Sequence, residues 1–222
     1  MIEVLLIVAL TAGWLRAGEP QRDSAVRFEP VKVVAATPTI YPMLSIASGT
    51  VILRIEVNNA GAVEKVDVVH GIPSLTEEAE RSVRQWKFKP ALLNGKPWVS
   101  DITASFSFSR PLPLGLPLKL TPTSGEQTPL FAPVEVDSAI QAFYPAAVIT
   151  SGTVILQVIV GSSGAIDRVK TIQGIQWLTE QAEQAVKEWK FEPARLDGKP
   201  VASPMIASFI FAFSLLLNSH NR

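Results

Sequence analysis

Along residues 50–57 apolar and polar side chains alternate, with Val51, Leu53, Ile55 and Val57 on one face and Arg54 and Glu56 on the other. A period of two marks a half-buried strand. Asn58-Asn59-Ala60-Gly61 follows. Such residues tolerate a positive φ, so a hairpin loop is predicted there, and Val63–His70 is the returning strand, closed by Gly71. The period then lengthens to that of a helix. Ser74 and Glu77 have capping-box spacing, and Leu75, Ala79, Val83 and Trp86 share one face before Pro90 stops the run. A last strand alternates Trp98, Ile102, Ala104, Phe106 and Phe108 against Asp101, Thr103 and Ser105.

The pattern then recurs. Phe28–Phe108 lies over Phe131–Phe211 at a constant offset of 103 without a gap, and 35 of the 68 positions in Tyr41–Phe108 are identical in Tyr144–Phe211. The second copy has its hairpin at Gly161-Ser162-Ser163-Gly164 and a helical face of Leu178, Ala182, Val186 and Trp189 before Pro193. Its last strand presents Val201, Met205, Ala207, Phe209 and Phe211, a period that Phe213 and Leu215 continue. Trp177 replaces the capping serine, so the second helix is expected to start more weakly. Strand, strand, helix, strand in each copy predicts an α+β domain: a three-stranded antiparallel sheet with one main helix packed across a face. Two copies are too few for a solenoid, so each is expected to bury its own core. Both outer strands of such a sheet are open edges.

The organisation expected is a leading segment at 1–17, one domain at 28–110, a linker at 111–130 and a second domain at 131–217. Pro111, Pro113, Pro117, Pro122, Pro129 and Pro133 mark an extended spacer, because proline lacks the donor a sheet needs. The alternating leucines 112, 114, 116, 118 and 120 suggest that part of it lies along a domain surface. Val4–Leu15 is an apolar run of the length of a secretory signal core, shorter than a membrane-spanning helix. Ala17-Gly18 supplies small residues for cleavage, although Glu3 and Arg16 flank the run with charges unlike those of an ordinary signal. The segment is expected to direct export, as a cleaved signal or a short anchor; a buried N-terminal element is the plainer alternative.

Composition removes several functions. The chain has no cysteine, two histidines, and Lys+Arg 20 against Asp+Glu 20. Disulfide frameworks, thiol catalysis and Cys-based metal sites are excluded, and the balanced charge lacks the basic footprint of a nucleic-acid binder. His70 becomes Gln173 in the second copy and His220 lies near the C-terminus, neither with a partner at ligand spacing. Glu77, Glu80, Glu180 and Glu183 read as helix-surface carboxylates, and Lys87, Lys96, Lys190 and Lys199 as exposed positions. The glycines occupy hairpins and turns, not a phosphate-binding strand-to-helix junction. No catalytic constellation, cofactor site or metal site is expected, and the chain reads as a non-enzyme.

Taken together, the shared blocks resemble the C-terminal domain of TonB-family proteins. The resemblance rests on Tyr41, Pro42, Gly49, Val51, Gly61, Gly71, Trp86, Phe88, Pro90, Ala91, Gly95 and Pro97. It rests equally on Tyr144, Pro145, Gly152, Val154, Gly164, Gly174, Trp189, Phe191, Pro193, Ala194, Gly198 and Pro200. It implies a periplasmic protein, exported or held at the inner membrane, whose partners are cell-envelope proteins such as outer-membrane transporters. It also implies that the last strand of each sheet accepts an extended segment from the partner. An edge strand's free N–H and C=O groups suit that mode. The candidate binding residues are therefore Val99, Asp101, Thr103, Ser105 and Ser107, with Ala202, Ile206, Ser208 and Ile210 in the second copy. The alternatives are that the two copies pair with each other, that the tail Phe213–Leu217 covers an edge, or that the chain dimerises as a scaffold. A further alternative is an anchored energy transducer. Against it, Glu19–Glu29 spans only about 36–40 Å fully extended, too short to carry an anchored domain across the periplasm.

Overall fold

In the computed structural model, residues 26–43, 45, 47–110, 118–119, 130–145, 148 and 150–212 are described. The N-terminal apolar run, most of the linker, His220 and the continuation at Phe213 and Leu215 lie outside them. Each copy builds its sheet around its first long strand. β1 (Gly49–Val57) pairs antiparallel with β2 (Val63–His70) on one side and β3 (Ser100–Ser109) on the other. β4 (Gly152–Val160) pairs in the same way with β5 (Ile166–Gln173) and β6 (Ser203–Phe211).

The helices are α1 (Pro73–Val83) and α2 (Thr179–Lys187). Leu75, Ala79 and Val83, and likewise Leu178, Ala182 and Val186, are fully buried, as the helical period predicts. Trp86 and Trp189 are corrected from helix residues to residues just beyond the turns that end the helices, though both remain buried anchors. The Trp86 ring packs 5.6 Å from Phe106 and its indole N–H donates to Thr37 O at 3.0 Å. Trp189 repeats this with Phe209 at 5.5 Å and Ile140 O at 2.8 Å.

The capping box does not form. Thr76 does the work instead, its Oγ1 accepting from Ile72 N–H and donating to Ile72 O, both at 2.9 Å. Thr179 does the same for Ile175. Ser74 pairs with Ser45 Oγ at 2.9 Å, and Glu77 takes Arg81 at 2.8 Å. The second helix does start later, at Thr179, the counterpart of Thr76. Trp177 ahead of it sits in the left-handed region at φ 70°.

Each copy also carries five short strands that the periodicity does not announce. Lys87–Lys89 pairs with Lys32–Ala35, and Ala91–Leu93 lies between Phe28–Glu29 and Lys96–Trp98. The second copy matches with Lys190–Glu192 on Glu135–Ala139, and Ala194–Leu196 between Phe131–Ala132 and Lys199–Val201. Leu118–Lys119 of the linker adds to Glu135–Ala139. The Trp-Lys-Phe-x-Pro-Ala motif is thus a strap that ties the N-terminal segment of each copy to its sheet. Gly61 shows how tightly: its φ is 81°, and a Cβ there would stand 2.1 Å from Phe88 O.

Of the alternatives for the last strands, the pairing of the two copies with each other is the one realised. β3 and β6 pair with each other in parallel, from Ala104↔Ile206 to Ser109↔Phe211, giving one six-stranded sheet in the order β5-β4-β6-β3-β1-β2. Partners differ by 102 positions, while the duplication offset is 103. A slip of one residue turns side chains to the opposite face. Ala104, Phe106 and Phe108 therefore share a face with Ile206, Ser208 and Ile210, and the two helices cover opposite faces of the sheet.

Candidate functional site

Val99, Asp101, Thr103, Ser105, Ser107, Ala202, Ile206, Ser208 and Ile210 were the candidates for an open binding edge, and they are not at one. Their strands lie at the middle of the sheet, and each closes the other over Ala104–Ser109 and Ile206–Phe211, a pairing that begins after Asp101 and Thr103. Val99 and Ala202 are exposed but precede the paired strands, and Asp101 is half-buried. Thr103, Ser105, Ser107, Ile206, Ser208 and Ile210 are buried. The alternation of serine with aromatic residues reads as a solvent face; here that face is covered by the other copy.

The cover is reciprocal. Thr103 Oγ1 donates to Val134 O of the second copy's leading segment at 2.5 Å, and Thr153 Oγ1 donates to Thr39 O of the first copy's at 2.6 Å. Arg54 meets Glu135 across the same boundary at 3.5 Å. Ile52 packs into the core beneath α2, while Ile155, Ile206 and Ile210 pack into the core beneath α1. The expectation of two independent cores is corrected: each copy completes its partner's. Phe28 and Phe131 stack at 4.6 Å where the two leading segments meet.

The Tyr-Pro motifs hold the loops at one end of this sheet. Tyr41 donates its hydroxyl to Ala47 O and packs edge-on to Phe108 at 5.7 Å. Tyr144 donates to Thr150 O at 3.0 Å and packs on Phe211 at 5.4 Å. Burial raises both phenol pKa values, opposed at Tyr41 by the Arg110 charge above its ring and at Tyr144 by a hydrogen bond with Ser151. Pro42 and Pro145 start turns in which Ser45 N–H and Val148 N–H return to their carbonyls at 3.0 Å. On the first copy's covered face burial raises the Asp101 pKa. The Arg54 charge opposes that shift, and Glu56 and Asp67 add to it.

With the last strands joined, the edges of the sheet are β2 and β5. At β2, Lys65 and Asp67 pair at 2.9 Å along the strand. Aligned positions in β5 replace Glu64, Lys65 and Asp67 by Asp167, Arg168 and Lys170, so an acid–base–acid edge becomes acid–base–base. Beside β5 a groove runs beneath α2, lined by Ile166, Asp167, Arg168, Val169, Glu183, Lys187 and Trp189 among others. Sequence reasoning passed over this edge, because its charged residues read as an ordinary solvated face. Among the described residues no helix is long and apolar enough to cross a membrane.

Comparison with curated proteins finds no match. A family model described as the Gram-negative bacterial TonB protein C-terminal matches residues 41–109 and again residues 143–213, together more than half of the chain. The two matches fall on the two copies that form the sheet, and they make the chain a TonB-like envelope protein. The chain belongs to the TonB C-terminal family, with two of its domains in one polypeptide.

Proposed function

We propose that this is a non-enzymatic, periplasmic binding module that takes an extended, acidic segment of an envelope partner as a seventh strand on β5. The observation carrying this reading is the parallel pairing of β3 with β6, which occupies the strands on which the family resemblance placed partner binding. Strand addition needs an edge with unpaired main-chain groups, and β2 and β5 are the edges left. Of these, β5 adjoins a groove with apolar positions at Ile166 and Val169 and balanced charges, Asp167 and Glu183 against Arg168 and Lys187. It is also the more basic edge, with Arg168 and Lys170 where β2 has Lys65 and Asp67. Main-chain bonds would supply affinity, and the basic side chains would select an acidic strand.

The test is an amide-resolved NMR titration of the chain with a strand-forming peptide of alternating Val and Asp, and with its Val–Lys counterpart. The acidic peptide is expected to shift amides of Ile166–Gln173 and to bind at least tenfold more tightly than the basic one. Arg168→Glu combined with Lys170→Glu should reverse the preference. Shifts along Ser100–Ser109 and Ser203–Phe211 would instead mean that the joined strands open to receive the partner. No shifts with either peptide would favour a structural scaffold.

A further inference from the structure

A second cavity lies where the copies meet, away from the β5 groove, and the reading that follows does not depend on partner binding there. It has a volume of about 250 Å³ and is lined by Ser109 and Arg110 at the end of β3, Phe143, and Gln181, Gln184 and Glu188 of α2 and its C-cap. That is below the roughly 300–1,000 Å³ of sites for drug-sized ligands, and suits something smaller.

Two features point to the ligand's chemistry. Ser109 Oγ and Arg110 Nε are buried and have no hydrogen-bond partner among the described residues, and of the buried polar atoms in that condition they are the two whose residues line this cavity. Leaving a buried donor unpaired costs about 1–3 kcal/mol, more when it is charged, so such groups call for an acceptor. Arg110 is held in place by its Nη2 donating to Ser45 O at 2.7 Å and by its position 5.1 Å over the Tyr41 ring. Glu188 lines the same cavity, and among the described ion pairs none joins it to Arg110. A cation and an anion thus border one space without satisfying each other.

The duplication supplies an internal comparison. At the positions of Gln181, Gln184, Ala185 and Glu188 the first copy has Glu78, Arg81, Ser82 and Gln85. There Arg81 pairs with Glu78 at 2.6 Å and Glu77 at 2.8 Å, and Ser82 Oγ donates to Thr37 O at 2.7 Å. In the second copy the ion pair is replaced by amides, and the hydroxyl is gone at Ala185.

We propose that this cavity binds a small zwitterion, a free amino acid or dipeptide, with its carboxylate on Ser109 Oγ and Arg110 Nε and its ammonium on Glu188. Titration calorimetry of the full chain with alanine and with alanyl-alanine tests it, using N-acetylated and C-amidated alanyl-alanine as controls. Saturable binding of alanine or alanyl-alanine is expected, weakened at least tenfold by either blocking group. Ser109→Ala should weaken binding about tenfold, the effect of losing a charge-assisted hydrogen bond. Glu188→Gln should abolish the penalty of N-acetylation. Gln184→Arg, which restores the first copy's residue beside Glu180, should close the site while leaving the melting temperature unchanged or higher. Absence of binding at millimolar ligand, equal binding of the amidated peptide, or binding untouched by Gln184→Arg would each overturn the proposal.

Discussion

Replacing Trp86 with alanine is expected to cost about 3–5 kcal/mol and to melt both copies together. Trp86 is 1% exposed and joins Phe106, Phe88 and the Thr37 carbonyl, so its removal leaves a large void and takes one of two donors, the other being Ser82 Oγ, from that carbonyl. A loss of that size is a large part of the roughly 5–15 kcal/mol that holds a domain folded. It should not stay within the first copy. Ile155, Ile206 and Ile210 of the second copy pack under α1, and Ile52 of the first packs under α2, so unfolding either core uncovers the other. Calorimetry should therefore give one transition, lowered as a whole, with van't Hoff and calorimetric enthalpies in agreement. A variant whose second copy melts at the unaltered temperature would mean that the cores are separate.

Ser208→Asp is the second large effect. Ser208 is fully buried opposite Phe106, its Oγ has no partner among the described residues, and its neighbours on that face are Ile206 and Ile210. An ionised carboxylate there would lose its hydration with no cation to offset it, a penalty of several kcal/mol. At neutral pH the variant is expected to be largely unfolded. Burial would raise this carboxyl's folded-state pKa above its unfolded value, so the penalty is present at high pH and is relieved as pH falls through the folded pKa. Circular dichroism melts at neutral and acid pH should show that recovery. Ser208→Ala removes a hydroxyl that makes no bond and should be neutral or stabilising. A Ser208→Asp chain that melts like the parent would place this strand in water.

Much of the domain architecture is legible from period and turn chemistry. The strand at 49–57, its hairpin, the returning strand and the buried helical face follow from local spacing. The capping threonine is harder to see, because Ser74-Glu77 matches the familiar spacing while Thr76 does the bonding from within the first turn. The straps at Lys87–Lys89 and Ala91–Leu93 are three residues each, too short to display a period.

The pairing of the copies left a trace that the alternation rule hides. In the first copy Thr103, Ser105 and Ser107 look solvent-facing, but their counterparts are Ile206, Ser208 and Ile210, which turn Met205–Phe211 into a nearly continuous apolar run. Such a run is the mark of a strand buried on both faces. The signal lies in the positions where the copies differ, Thr103 against Ile206 and Ser107 against Ile210, and not in those they share. The one-residue slip that sets the helices on opposite faces is a property of packing and has no local sequence signal.

The central claim is that the last strands close each other, and a disulfide tests it most directly. The chain has no cysteine, so Ser105→Cys with Ala207→Cys creates its only pair of thiols. These residues are register partners in adjacent strands, which lie about 4.8 Å apart and within the 4.4–6.8 Å Cα separation that a disulfide accepts. Oxidation of the dilute protein, followed by unfolding and intact-mass and gel analysis, should give an intramolecular bond in a monomer, and Ser105→Cys with Ser208→Cys should give far less. Free thiols throughout, or covalent dimers alone, would contradict the sealed sheet.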